Sequence, residues 1–168
     1  MKHRSPSIAP ETLKEWLEEK RDFTLLDTRN NYEVELGTFE NADHLNIRNF
    51  CHYEAQAKKI PKDLTEKPLV VFCTGGIRCE KAAPLMKKLG FKNVLQLDGG
   101  ILNYFEKTGG AHYRGDCFVF DDRVALTPTL EETDLIPCAH CGKSVTKEER
   151  RLPTFRFGKC CPHCHPGK

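Results

Sequence analysis

The residues best suited to chemistry are Cys73-Thr74-Gly75-Gly76-Ile77-Arg78, which follow the apolar run Leu69-Val70-Val71-Phe72 and precede a segment with helical periodicity. A cysteine at a strand end, ahead of a helix, lies where successive backbone N–H groups converge and unpaired helical amides add partial positive charge. Its thiol should ionise below the free value of about 8.5. Gly75 and Gly76 let the backbone curl around the sulfur, and Arg78 adds a fixed cation at the rim. Thr74 to Arg78 thus read as an anion-binding cradle and Cys73 as the nucleophile or carrier. A second constellation lies near the C-terminus, where Cys138-x2-Cys141 and Cys161-x2-Cys164 fit a tetrahedral four-cysteine zinc ribbon or knuckle. Cys160, His140, His163 and His165 lie close enough in sequence to replace a ligand.

These residues need a scaffold, and 168 residues allow one well-buried domain plus a small appendage. The expected partition is a catalytic domain over 1–126, an acidic, proline-bounded linker over 127–137, and a metal module over 138–168, too small to fold unaided. Pro10 to Leu17 predict an amphipathic helix with Trp16 in the core, Phe23–Asp27 a strand, and Tyr32–Leu36 a helix ended by Gly37. An apolar stretch over 42–47, a helix over 53–59, the strand 69–72 and a helix from Ala82 towards Gly90 follow. A bend is expected at Pro84. Asn93–Leu97 reads as a further strand before a helix over 101–107. Alternating strands and helices predict an α/β fold, a mainly parallel sheet with helices on both faces, with Cys73 at the carboxyl end of a strand, where ligands sit.

Hydrophobic content of 39% and charged content of 30% describe a globular protein, and no apolar run approaches the roughly 18 residues that cross a bilayer. Nine cysteines without a secretory signal point to catalysis and metal binding in a reducing, cytoplasmic setting. Charge is unevenly divided. From Cys138 onward seven Lys/Arg meet two Asp/Glu, a balance of +5, against −3 for the rest, so the tail is the natural contact for an anionic partner such as RNA.

Around the loop, Arg29 is a candidate substrate contact, with a salt bridge to Glu33 as its alternative. Asp27 braces the following turn, and Asp98-Gly99-Gly100 starts a helix whose glycines allow close approach to the reactive loop. Cys79 reads as structural, because neighbouring helical side chains diverge; Cys51 and Cys117 read as packing. His44, His52 and His112 have no defined role, since the sequence cannot position any of them as a base, and Tyr113, Phe118 and Phe120 are candidate surfaces for an extruded base.

The six-residue loop from cysteine to arginine resembles that of rhodanese-type sulfurtransferases, which carry sulfur as a persulfide; related phosphatases have a loop one residue longer. With Leu26-Asp27-Thr28-Arg29-Asn30, Gly37-Thr38-Phe39, Cys79-Glu80-Lys81-Ala82, Leu97-Asp98-Gly99-Gly100-Ile101 and Cys117-Phe118-Val119-Phe120-Asp121-Asp122-Arg123-Val124, the chain from about Ile8 to Val124 resembles the rhodanese-like tRNA uridine hydroxylase family. The resemblance implies oxygen-dependent formation of 5-hydroxyuridine at the wobble position, with Cys73 essential, O2 as co-substrate and the tRNA anticodon region as partner. Members usually carry a small α/β domain ahead of this part, so the resemblance implies either a fragment of a longer enzyme or a chain for which that domain is dispensable. The alternatives are a persulfide-carrying sulfurtransferase served by a sulfur-donor protein, and a catalytically silent scaffold with a zinc-dependent tail. Oligomeric state is left open.

Overall fold

The computed structural model describes residues 5–166. Its centre is a five-stranded parallel sheet in the order β1 (Ser7–Ile8), β6 (Val94–Leu97), β5 (Leu69–Phe72), β2 (Thr24–Asp27), β4 (Asp43–His44). All four residues of β5 are apolar and buried, as a central strand covered on both faces requires. Leu69 and Val71 join Leu26 under the helices α3 (Tyr53–Ala57) and α4 (Cys79–Lys88). Val70 and Phe72 join Leu25 on the opposite face, under α1 (Pro10–Glu18) and α5 (Gly100–Thr108). Strand residues therefore divide by parity between two apolar layers.

The helices follow from their sequences. Pro10 opens α1, which buries Leu13, and Trp16 packs edge-on against Phe23 as a core side chain. Cys79, Ala82, Ala83 and Met86 form the buried stripe of α4, which runs on to Lys88 past Pro84. Helix α2 spans Asn31–Leu36 and ends at Gly37, as the sequence predicts. The apolar stretch 42–47 contributes only the two-residue edge strand β4, hydrogen-bonded to β2.

Three antiparallel pairs lie outside the main sheet: β3 (Gly37–Phe39) with β7 (Tyr113–Gly115), β8 (Cys117–Phe118) with β9 (Ala125–Leu126), and β10 (Ile136–Pro137) with β11 (Ser144–Val145). The first folds residues after α5 back over the end of β2. The last, with Cys138, Val145 and Cys161, forms a separate small core. No helix among the described residues is long and apolar enough to cross a membrane.

Candidate active site

Cys73 follows β5 directly, at the carboxyl edge of the sheet. The Gly76 N–H points back at its Sγ at 3.1 Å, a geometry that places Gly76 at φ +87°. The loop is clamped from the other side by α5, whose Ile101 and Leu102 amides donate to the carbonyls of Cys73 and Thr74 at 2.9 and 3.1 Å. Gly100 makes this possible: at φ +67°, a Cβ there would lie 2.5 Å from the Cys73 carbonyl oxygen and 2.6 Å from that of Thr74. The expected close approach of Asp98-Gly99-Gly100 to the loop is thus a backbone contact that no side chain would allow.

The Cys73 sulfur is buried, yet its surroundings are polar. Its pKa falls from 9.0 to about 6 because the Cys79 thiol donates to it, with further help from the Arg78 charge and from the Cys79 and Arg78 amides; these outweigh desolvation. The Cys79 thiol, fully buried, is pushed up because its proton is held by the Cys73 sulfur. The Thr28 hydroxyl donates to the Phe72 carbonyl at 2.9 Å, and its oxygen lies 4.0 Å from the Cys79 sulfur. The Gly76 N–H aimed at the sulfur, the Arg78 charge and the neighbouring Cys79 thiol therefore favour an anionic Cys73. Cys79 is wholly buried in the apolar layer of α4, in keeping with the structural role that its sequence position suggests. Its influence on Cys73, six residues away, carries no local sequence signal.

Arg78 is not a free cation. Its guanidinium, 17% exposed, makes a two-pronged pair with Glu33 at 2.5 and 2.7 Å, and Glu33 is wholly buried. It sits 5.5 Å from the centre of the Phe120 ring and 3.5 Å from the Thr74 hydroxyl. It therefore acts on Cys73 through its charge, while its hydrogen bonds hold α2 against the loop. Glu33 went unrecognised in the sequence because its partner lies 45 residues away.

Arg29 is a correction. Its side chain is fully buried and doubles back two residues to Asp27, with Nε at 2.9 Å and Nη2 at 2.7 Å, while Nη2 also donates to the Gly37 carbonyl at 2.6 Å. Burial opposes the charge, but Asp27 more than offsets it and raises the pKa. Neither contact with substrate nor pairing with Glu33 is open to it. Asp27, which also accepts from Thr38 at 2.7 Å, braces the turn as expected.

Around the mouth, Ile77 is 78% exposed and Phe120 66% exposed, with Phe118 edge-on to Phe120 at 5.1 Å. Tyr113 belongs to the core, donating its hydroxyl to the Gly37 carbonyl at 2.8 Å. Cys117 is buried with its thiol pushed up to about 11 by desolvation, as suits packing; Cys51 does not pack, since it is exposed and its thiol rests against the Asn49 side chain. His44 sits on the edge strand, accepting the Asn46 N–H.

The second constellation also assembles. The sulfurs of Cys138, Cys141, Cys161 and Cys164 lie within 4.8 Å of one another, with separations of 3.7 Å (138 to 164), 3.6 Å (141 to 161) and 3.7 Å (161 to 164). Metal–sulfur bonds of about 2.3 Å in a tetrahedron give sulfur edges of about 3.8 Å. Disulfides would need about 2.05 Å. The donor set and its size therefore fit a tetrahedral thiophilic metal. Cys160 is outside this group, donating to the Thr154 carbonyl, and His163 pairs with Glu149 at 2.8 Å.

A loop that cradles one cysteine of lowered pKa at the carboxyl edge of a parallel sheet is the arrangement of a rhodanese-type site. The model of the rhodanese-like domain matches residues 9–107, and the chain belongs to that family. Its similarity to tRNA uridine(34) hydroxylases extends further. The chain is 49% identical over 170 residues to that of Cupriavidus taiwanensis, covering 98% of this chain and 60% of the relative, and 50% identical over 169 residues to that of Burkholderia mallei, covering 98% and 56%. It thus spans somewhat over half the length of these curated relatives. Among solved structures it is similar in fold to the Alr3790 protein of Anabaena sp. (TM-score 0.54, 22% identity, 69% of this chain and 96% of that one) and to the human single-domain sulfurtransferase TSTD1 (0.51, 24%, 61% and 97%).

Proposed function

We propose that this chain carries the catalytic cysteine of a tRNA wobble-uridine hydroxylase, acting in the cytoplasm on the anticodon region. The observation that carries this reading is the similarity of about 50% to tRNA uridine(34) hydroxylases over nearly the whole chain, cysteine tail included. The site supplies chemistry consistent with it. A thiolate can add to C6 of a uracil ring and raise electron density at C5, the carbon to be oxidised, and after oxidation it leaves C6 as C5 loses its proton and the C5–C6 double bond is restored. With O2 as co-substrate, one oxygen atom enters at C5 and the other leaves as water, which takes two electrons from a reductant. The wobble base must leave its stack to reach Cys73, and the exposed Phe120 ring beside Arg78 offers it a face.

The metal is zinc in this reading, held by Cys138, Cys141, Cys161 and Cys164, where it supplies folding energy to residues 138–168 and no step of the reaction. In this reading residues 1–126 are the catalytic domain and the stretch from 127 the linker, which ends before Ile136, because Ile136–Pro137 pair with the tail as β10. Nucleoside mass spectrometry of tRNA from cells lacking the gene tests the proposal. The expected result is loss of 5-oxidised wobble uridine, restored by the native gene and not by Cys73→Ser; unchanged uridine oxidation in the deleted cells refutes it.

The six-residue loop and the Gly76 N–H aimed at Sγ favour one second reading, a sulfurtransferase that receives persulfide sulfur from a donor protein. Fast thiosulfate-to-cyanide transfer by the purified chain, with tRNA nucleosides unchanged in the deletion, would select it.

A further inference from the structure

Phe157, 84% exposed and the most exposed large apolar side chain among the described residues, lies far along the chain from the reactive loop, at the tip of a tight hairpin in the cysteine tail. Arg156 and Cys160 close the hairpin through two backbone bonds, N to O at 2.9 Å and 3.0 Å, and Gly158 turns it at φ +70°. Cys161, the next residue, belongs to the sulfur quartet, so the hairpin is fixed at its base. Beside it runs a groove of about 440 Å³ lined by Arg156, Lys159, His140 and His165, with Cys164 at one wall.

Two of the tail's cations, Arg156 and Lys159, line this groove, whereas others are engaged by partners. Lys143 is engaged by Glu35 at 3.1 Å, Arg150 donates to the Asp134 carbonyl at 2.8 Å, and Lys147 and Arg151 lie near Glu148. Neither Arg156 nor Lys159 has an ion pair among the described residues. An apolar ring projecting into water has no structural reward in the chain itself, and two exposed cations without a carboxylate partner among the described residues flank it. A partner that satisfies both is a polyanion with exposed aromatic faces.

We propose that the Phe157 hairpin is a binding site for unpaired RNA, with one base stacked on Phe157 and the adjoining phosphates on Arg156 and Lys159. This deepens the tRNA reading and rests on it, by giving the tail its own grip on single-stranded residues, separate from the Cys73 loop. Base–aromatic stacking is sequence-tolerant and needs a splayed base, so the site discriminates loops from duplex.

The test titrates the full metal-loaded chain against a fluorescent RNA stem–loop and a fully paired duplex of equal length, across salt. Phe157→Ala is expected to weaken stem–loop binding about tenfold and leave duplex binding unchanged, since one stacked base contributes about 1–3 kcal/mol. The double variant Arg156→Gln, Lys159→Gln is expected to lower the salt slope by about 1.4, or ~0.7 per single-strand phosphate contact. Phe157 is solvent-exposed, so its loss leaves the fold and metal content intact. The proposal is overturned if either variant binds the stem–loop as the native chain does, or if Phe157→Ala loses equally on the duplex. Cys73→Ser is expected to bind normally, so if uridine oxidation proves independent of the gene while this binding pattern holds, only the catalytic reading falls.

Discussion

Replacing Glu33 by alanine tests how the loop is held. Glu33 is wholly buried and accepts two charge-assisted bonds from Arg78, at 2.5 and 2.7 Å, and one from the Asn30 amide at 3.1 Å at the start of α2. Removing one partner of a buried pair costs about 3–5 kcal/mol, because the other charge is left without compensation. Arg78 retains a 17% exposed edge through which water reaches it, which favours the lower end; the lost amide bond at the helix start adds about 1 kcal/mol. The expected loss is therefore about 4 kcal/mol, a large share of the roughly 5–15 kcal/mol that holds a domain together. Urea unfolding followed by circular dichroism should show the midpoint fall with an unchanged slope. A double-mutant cycle with Arg78→Ala isolates the pair, and a coupling above about 1.5 kcal/mol is expected. A coupling below about 0.5 kcal/mol would refute the reasoning, since the two groups would then be independently solvated.

Three further outcomes follow from the site. Cys79→Ala removes a donor to a thiolate, worth about 1.5–3 kcal/mol, and at 1.36 kcal/mol per pH unit the Cys73 midpoint should rise from about 6 to about 7 or higher. Cys79→Ser keeps a donor and should stay near the native value; alkylation of the Cys73 peptide against pH, read by mass spectrometry, checks both. Gly100→Ala places a methyl group against the Cys73 and Thr74 carbonyls at positive φ and should cost at least about 2 kcal/mol while raising the same midpoint, seen by urea unfolding and alkylation. Elemental analysis should find one zinc per chain, and chelation or Cys161→Ser should open residues 138–168 to protease while leaving Cys73 reactivity unchanged.

Most of the framework was legible because it depends on local signals. The apolar run Leu69–Phe72, the stripe of α4 and the glycines at 99 and 100 each encode their own conformation, and the paired Cys-x2-Cys turns signal a cluster of four sulfurs that could hold a metal. What stayed hidden depends on partners distant in sequence. Glu33 looks like any exposed helical acid until Arg78 is folded onto it, and Arg29 looks available until Asp27 and the Gly37 carbonyl claim it. Cys79 becomes a donor only because α4 turns its first residue towards the loop. The short strands β7, β8 and β9 have two or three residues each, too few for an alternating pattern to stand out.

The account turns on whether the loop holds Cys73 as an anion at neutral pH. The most direct measurement is the alkylation rate of Cys73 in the native, metal-loaded chain from pH 4.5 to 10, followed on the peptide that contains it. Reactivity is predicted to climb through about pH 6 and to be near its plateau at pH 7, because the lowered pKa leaves the thiolate as the main form above that point. A midpoint at about 8.5 or above, that of an ordinary thiol, would contradict it.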